Sequence, residues 1–256
     1  MIQKYRTSGN LIFNNEKKFK KNYQMKVVIL CGGFGSRLGK ETSVIPKPMV
    51  KIDKNPILIH IMNLYFNYGY DDFILALGYK GEYIQNFFKK NKFRFKVKTV
   101  FTGRNTLTGG RLLKLKKYLK NENDFMLTYG DGISNQNIKR LEKFHLKHKK
   151  IATMTVVRPP VRFGEVTMKK NRITKFKEKA QITSSWINGG FFVFSKKIFK
   201  FLSKYNEMLE RKPMEKLFKK KELMAFKHHG FWQCMDTQRD KELLVNLIKE
   251  KKASWL

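Results

Sequence analysis

Residues 26–31, apolar after the first lysine, end directly in the pair Gly32-Gly33. A continuous apolar run of this length is typical of a strand that is buried on both faces of a sheet. In open α/β sheets ligands bind at the carboxyl ends of strands, where glycines let the backbone approach a phosphate closely. The sequence therefore predicts a ligand-binding loop after the first strand of an α/β fold.

Other apolar runs and helical periodicities follow along the chain. Further strands are predicted at residues 73–77, 124–129, 151–157 and 191–194. Helices are predicted at residues 57–68, 82–90, 111–120, 137–147, 197–205 and 239–251. This alternation predicts a single Rossmann-like α/β domain, whose mostly parallel mixed sheet is flanked by helices. Residues 163–168 and 172–176, joined by a turn at Lys170-Asn171, predict a small β-hairpin beside that sheet.

The chain divides into a tail and a domain near Met25. Residues 1–24 are polar and basic without sustained periodicity, so we expect a disordered or poorly ordered tail before a domain of residues 25–256. No apolar run is long enough to span a bilayer, and the tail lacks the apolar core of a signal peptide. We therefore expect a cytoplasmic protein in which Cys31 and Cys234 stay reduced.

The net charge of +35 raises the alternative of a nucleic-acid-binding protein. The lysines, however, are spread from Lys17 to Lys252 and accompany many Asn, Ile, Phe and Tyr residues, a mixture typical of an AT-rich genome. A dedicated nucleic-acid surface would use arginine more often, because its planar fork matches phosphates and guanine edges. The pattern favours a dispersed, solvated basic surface.

The glycine loop of residues 32–38 does not match the two commonest phosphate-binding motifs. Leu38 occupies the third glycine position of a dinucleotide fingerprint, and Gly39-Lys40 lacks the spacing of a Walker A loop. A second feature strengthens the case for a phosphate site. Lys47 lies between Pro46 and Pro48, two conformationally restricted residues that would hold its ammonium at low entropic cost.

Two aspartates are candidate metal ligands. Asp131 lies between glycines after an apolar strand, and Asp236 precedes the last predicted helix. Such hard carboxylates suit Mg²⁺, which takes its other ligands from water and substrate phosphates. Taken alone, they fit a turn aspartate and a helix N-cap better.

A series of motifs changes that balance. The glycine loop with the PKPM segment at 46–49 resembles the signature of the nucleoside-diphosphate-sugar pyrophosphorylases, which are Rossmann-like enzymes. The resemblance continues at residues 108–111 (TGGR), 129–132 (YGDG), 176–179 (FKEK), 187–193 (INGGFFV) and 230–237 (GFWQCMDT). Within that family, PKPM, TGGR and the last motif are similar to the glucose-1-phosphate cytidylyltransferases.

The resemblance implies transfer of a cytidylyl group from CTP to glucose 1-phosphate with Mg²⁺, by a homo-oligomer that neither binds a specific nucleic acid nor inserts into a membrane. It assigns catalysis to Arg37, Lys47, Asp131, Lys179 and Asp236, with the metal on Asp131 and Asp236. It assigns the nucleotide to Leu30, Cys31, Gly32, Gly33, Phe34, Gly35, Ser36, Arg37, Lys47, Thr106, Arg111 and Gly130. It assigns the sugar phosphate to Glu178, Lys179, Asn188 and Gly189.

The chain departs from the family pattern at three places. Ala180 and Cys234 stand where prolines are usual, and residues 88–99 are short for the cytidylyltransferases. The cytidylyltransferases have a longer segment at this point, and insertions of that kind often shape subunit contacts. The family's assembly therefore does not carry over directly. A thymidylyl- or uridylyltransferase remains the alternative enzyme, and a basic nucleic-acid-binding protein the remote one.

Removing residues 1–24 tests the division of the chain. We expect the truncated protein to fold and to keep its activity, because a segment without apolar periodicity has little surface to bury. Urea unfolding and steady-state kinetics on both forms measure this. A loss of more than about tenfold in activity, or of about 2 kcal/mol in stability, would contradict the expectation.

Overall fold

The computed structural model describes residues 24–159, 165–177 and 185–256. The predicted tail up to residue 23, the first residues of the predicted hairpin, and Glu178 and Lys179 lie outside these ranges. The predictions made for them stay predictions.

The described chain contains short and long strands in alternation with helices. The strands are β1 (Val27–Cys31), β2 (Lys51–Ile52), β3 (Asn55–Pro56), β4 (Asp72–Leu77), β5 (Lys96–Phe101), β6 (Asp124–Tyr129), β7 (Gly132–Ser134), β8 (Ala152–Val157), β9 (Glu165–Lys169), β10 (Arg172–Lys177), β11 (Ile187–Ser195), β12 (Leu223–His228) and β13 (Trp232–Cys234). The α-helices are α1 (Lys40–Val44), α2 (Ile57–Asn67), α3 (Gly81–Lys90), α4 (Thr108–Lys114), α5 (Ile138–His148), α6 (Lys212–Lys219) and α7 (Gln238–Lys249). Short 3-10 turns lie at Ser36–Leu38, Lys47–Met49, Lys116–Tyr118 and Lys196–Lys200.

Seven strands form one mixed sheet in the order β12-β8-β11-β6-β1-β4-β5. β1 pairs in parallel with β4 on one side and with β6 on the other. β11 runs antiparallel to both of its neighbours, β6 and β8. The two outermost strands pair in parallel, β12 with β8 and β5 with β4. The predicted mostly parallel α/β sheet is confirmed. The carboxyl ends of β1, β4, β5 and β6 share one edge of this sheet.

Strand β1 is buried on both faces, as its apolar run predicted. Val27 and Ile29 face a cluster that includes residues of α2, α3, α5 and α7. Val28 and Leu30 face a second cluster that includes residues of α4 and α6. The alternating side chains therefore enter two separate cores, one on each side of the sheet.

The structure corrects several predicted elements. The helix predicted at 197–205 is wrong: only the 3-10 turn Lys196–Lys200 forms, and the Phe201 amide bonds to the Ile198 carbonyl in the tighter i to i+3 pattern. The helix predicted at 111–120 begins earlier, as α4, and ends in a 3-10 turn. The edge strands β5 and β12 were not predicted, because half-exposed strands lack a continuous apolar run.

The predicted hairpin is present over the residues that the structure describes. β9 and β10 pair antiparallel, with Lys170 in the left-handed region at the turn. No helix in the described part of the chain combines the length and the apolar character that crossing a bilayer requires.

Candidate active site

A small antiparallel ribbon brings the two predicted metal aspartates together. β7 follows Asp131 directly, and it pairs with β13, which ends two residues before Asp236. Gly132 lies opposite Cys234, and the Met235 amide donates to the Asp131 carbonyl at 2.8 Å. The ribbon thus places both aspartates at the carboxyl edge of the main sheet, beside the end of β6.

The Lys47 ammonium bridges the two carboxylates. Its Nζ lies 2.6 Å from Asp131 Oδ2 and 2.6 Å from Asp236 Oδ1. Arg37 adds a second cation, with Nη2 3.0 Å from Asp236 Oδ1. Lys47 is only 8% exposed although it is a lysine. The 3-10 turn that carries it packs against the glycine loop, where a Cβ added to Gly35 would lie 2.8 Å from the Lys47 Cβ.

This cluster changes the proton affinities of its members. Burial disfavours the charged form of Lys47, but the two aspartates outweigh it and raise the pKa of Lys47 above its ordinary value. Burial likewise opposes ionisation of Asp236, but Lys47 and Arg37 hold the pKa of Asp236 below its usual range. The lysine is therefore a fixed cation, and Asp236 a fixed anion, at neutral pH.

The two thiols near the site are not nucleophiles. Burial, followed by the charge of Asp236, raises the pKa of Cys234 to about 12. Burial and Asp131 raise the pKa of Cys31 further still. Since the thiolate is the reactive form of cysteine, both side chains are inert at neutral pH.

The carboxylate pair fits a magnesium ion. Both oxygens contact one ammonium at 2.6 Å, so they lie at most about 5.2 Å apart. This upper bound includes the separation of up to about 4.2 Å that two ligands of one Mg²⁺ have at about 2.1 Å each. Among the described residues, no group of three or more His, Cys, Asp or Glu side chains forms a complete metal cage. Mg²⁺ needs only one or two carboxylates when water and substrate phosphates supply the rest.

The N-cap alternative for Asp236 does not hold. Helix α7 is capped by Thr237, whose hydroxyl accepts from the Asp240 amide while the Asp240 carboxylate accepts from the Thr237 amide. This reciprocal cap leaves the Asp236 carboxylate facing Lys47. Asp131 does lie in the turn between β6 and β7, and its side chain still reaches the site.

Arg111 lies beneath the glycine loop and joins three loops at the sheet edge. Its side chain donates to the carbonyls of Gly32, Leu77 and Gly103, which follow or end β1, β4 and β5. Arg111 is 4% exposed, and a Cβ added to Gly32 or Gly78 would lie within 2.5 Å of its guanidinium. The two glycines are therefore required by the close approach of this side chain.

The other predicted nucleotide residues lie along the same edge. Leu30 and Cys31 have buried side chains in β1, whereas Gly33, Phe34 and Ser36 are exposed on the loop. The Gly130 amide donates to the Leu30 carbonyl at 3.1 Å. Thr106 Oγ1 donates to the Thr102 carbonyl at 2.6 Å, close to Arg111.

The predicted sugar residues within the described chain lie on β11, next to β6 in the sheet. Asn188 Nδ2 donates to the Tyr129 hydroxyl at 3.2 Å, and the Gly189 carbonyl accepts from Trp232 Nε1 at 2.7 Å. The structure thus brings Asn188 and Gly189 to the same edge as the Asp131 turn.

The family model for nucleotidyl transferases matches residues 26–237. This chain belongs to the nucleotidyl transferase family. A glucose-1-phosphate cytidylyltransferase of Salmonella typhimurium is 41% identical over 253 residues, covering 90% of this chain and 98% of that protein. A D-glycero-alpha-D-manno-heptose 1-phosphate guanylyltransferase of Aneurinibacillus thermoaerophilus is 31% identical over 81% of this chain and 89% of its own.

The fold is shared more widely than the sequence. A UDP-glucose pyrophosphorylase solved with UDP-glucose superposes with a TM-score of 0.70 at 15% identity, covering 90% of this chain and 100% of that one. At that identity the likeness concerns the fold alone.

Three side chains that contact the candidate site were not among the predicted site residues: Tyr129, Glu210 and Trp232. Tyr129 and Trp232 belong to the YGDG and GFWQCMDT motifs, so the sequence placed both residues near the site but did not predict which side chains they contact. Glu210 carried no sequence signal, because it precedes α6 in a segment that the periodicity did not assign.

Arg111→Ala should destabilise the protein by at least about 2 kcal/mol, because it removes a buried side chain whose hydrogen bonds join the loops after β1, β4 and β5 and leaves a cavity in its place. Urea unfolding measures this. Arg140→Ala, on the exposed face of α5, is the matched control and should cost less than about 0.5 kcal/mol. Equal stability of the two variants would show that Arg111 does not hold the loops.

Proposed function

We propose that this nucleotidyl transferase moves the cytidylyl group of CTP to glucose 1-phosphate and produces CDP-glucose and pyrophosphate. The observation that carries the proposal is the Lys47 bridge between Asp131 and Asp236, beside the glycine loop. The choice of substrates is supported by the 41% identity to a glucose-1-phosphate cytidylyltransferase over nearly all of its length.

In this reaction a phosphate oxygen of the sugar attacks the α-phosphorus of CTP. A new P–O bond forms there, the bond to the bridging oxygen breaks, and the electron pair leaves on pyrophosphate. The attacking oxygen is already anionic at neutral pH, so the protein needs to move no proton. Catalysis then consists of alignment and of balancing negative charge.

The cations at the end of β1 are suited to that task. An ammonium carries three N–H donors, and the carboxylates of Asp131 and Asp236 use two of those of Lys47. We propose that its third N–H donates to a phosphate oxygen of CTP, with Arg37 beside it. Asp131 and Asp236 would hold Mg²⁺, which when bound supplies further charge neutralisation at the phosphates.

The remaining roles follow the resemblance. The loop of residues 32–36, with Leu30, Cys31, Thr106, Arg111 and Gly130, would surround the nucleotide. Glu178, Lys179, Asn188 and Gly189 would bind glucose 1-phosphate. For Arg111, the contacts with Gly32 and Gly103 support an action through the loops that face the nucleotide. A homo-oligomeric state and a cytoplasmic location stay predictions.

A panel of nucleoside triphosphates with glucose 1-phosphate tests the proposed substrates. We expect CTP to exceed UTP and dTTP by at least about a hundredfold in kcat/KM, because a site matched to the cytosine edge leaves polar groups unpaired with another pyrimidine. Pyrophosphate release measures this. Comparable turnover of dTTP would favour the thymidylyltransferase alternative, and no turnover with any pair would refute the proposed activity.

Separate variants test the metal and sugar ends of the site. Asp131→Asn and Asp236→Asn should each lower kcat by about a thousandfold, because the charge they help to balance grows in the transition state. Lys179→Ala should chiefly raise KM for glucose 1-phosphate and leave KM for CTP within about threefold, because that phosphate is charged before reaction.

Steady-state kinetics with each substrate varied in turn measures both effects. Asp72→Asn, at the opposite end of β4 from the site, is the control and should retain normal kinetics. A Lys179 variant impaired mainly for CTP, or an Asp131 variant with near-normal kcat at saturating Mg²⁺, would show that the residues are wrongly assigned.

A further inference from the structure

Tyr129 is held rigidly at the end of β6, against strand β11, which carries the predicted sugar residues Asn188 and Gly189. It ends β6, two residues before Asp131. Its ring packs against Gly190, where an added Cβ would lie 2.7 Å from Tyr129 Cδ2 and φ is +77°. The ring of Phe192 approaches it edge-on at 5.7 Å between centroids. The Tyr129 hydroxyl therefore has a fixed position beside β11.

That hydroxyl stands between a carboxylate and an amide. It donates a short hydrogen bond to Glu210 Oε1, and it accepts from Asn188 Nδ2 at 3.2 Å. An ionised carboxylate can only accept, so the Tyr129 proton points to Glu210. The oxygen lone pair is then left for Asn188, and the direction of the chain is set from the Glu210 end.

The amide of Asn188 is fixed at both ends as a result. Its Oδ1 accepts from the Gly190 amide at 2.8 Å, while its Nδ2 donates to Tyr129. Rotating the amide by half a turn would place a carbonyl against the tyrosine oxygen and an N–H against the Gly190 N–H. An amide nitrogen has two N–H groups, and Tyr129 uses one of them. Within the part of the chain that the structure describes, the other N–H has no recorded acceptor, and the two fixed contacts of the amide set the direction in which it would donate to a ligand.

Glu210 is itself held from the other side of the site. Its Oε2 accepts from Thr108 Oγ1 at 2.6 Å, and the same hydroxyl accepts from the Leu209 amide at 2.8 Å. Thr108 begins α4, the helix that carries Arg111. Glu210 therefore connects the helix on the nucleotide side with the strand on the sugar side.

We propose that Glu210 and Tyr129 are positioning residues that orient the Asn188 amide, so that its second N–H donates to a hydroxyl of the sugar phosphate. The proposal rests on the proposed function, since it takes Asn188 as a sugar contact. Neither residue touches the reacting phosphorus. Their main effect is on affinity for the sugar substrate, because the hydrogen-bonded chain from Glu210 through Tyr129 ends at Asn188.

Tyr129→Phe removes the acceptor of the Asn188 N–H, and Glu210→Ala removes the group that orients the tyrosine proton. Each should raise KM for glucose 1-phosphate about tenfold and leave KM for CTP within about twofold. Because the contacts act in series, the double variant should be no worse than about twofold beyond either single one. Glu210→Gln keeps an acceptor for Tyr129 and should restore KM to within about twofold of the unaltered enzyme.

A substrate series separates orientation from a general loss of structure. The unaltered enzyme and Tyr129→Phe are compared with glucose 1-phosphate and with its 2-, 3-, 4- and 6-deoxy analogues. For the analogue that lacks the contacted hydroxyl, the difference in KM between the two enzymes should disappear. Tyr205→Phe, at an exposed tyrosine five residues before Glu210, is the control and should behave as the unaltered enzyme with every sugar.

The outcomes are distinct. If the unaltered enzyme does not use CTP and glucose 1-phosphate, the proposed function fails. If it does, but the Tyr129 and Glu210 variants change both KM values equally, or keep their KM difference with all four deoxy analogues, the positioning role is refuted. Failure of Glu210→Gln to differ from Glu210→Ala would refute it as well.

Discussion

The site depends on one ammonium group held between two carboxylates. Asp131 and Asp236 carry like charges at close range, and two such charges about 5 Å apart repel by about 3 kcal/mol at an effective dielectric constant of about 20. Lys47 offsets that repulsion with two attractions at shorter range, because its ammonium lies 2.6 Å from each carboxylate. The lysine is held by a buried 3-10 turn between two prolines, the first aspartate by the end of β6, and the second by the β7–β13 ribbon.

The local and the overall charge of the protein have different consequences. The net charge of +35 attracts phosphorylated substrates over long distances without selecting among them. At the carboxyl edge of the sheet the charges are paired: Arg37 and Lys47 contact the carboxylates of Asp131 and Asp236. They lie beside the glycine loop, whose Gly32 carbonyl accepts from Arg111. Dispersed lysines can raise the rate of encounter, whereas this local arrangement is the one that we propose aligns the triphosphate and holds Mg²⁺.

The proposed nucleotide and sugar sides of the site are also connected through the protein. The Glu210 carboxylate accepts hydrogen bonds from the hydroxyls of Thr108, at the start of α4, and Tyr129, at the end of β6. The tyrosine hydroxyl in turn accepts from the Asn188 amide. The Glu210 carboxylate therefore fixes the direction of three hydrogen bonds, those donated by Thr108, Tyr129 and Asn188. In the proposed function, such a connection would hold the sugar contact Asn188 rigidly without adding charge at the reacting phosphates.

The sequence by itself determined the fold class and the members of the central site. The apolar run of β1 required burial on both faces, and the glycine loop with Lys47 between prolines indicated a phosphate site at its end. The edge strands β5 and β12 were not predicted, because alternating exposure weakens the apolar pattern. Helix α6 was not predicted either, because its segment is short and basic. Only the tertiary structure decided that Asp236 lies outside the cap of α7 and faces Lys47, that Arg111 turns its guanidinium toward loop carbonyls, and that Glu210 reaches Tyr129. These facts depend on strand pairing and side-chain packing between segments far apart in the chain, and local periodicity carries no information about such contacts.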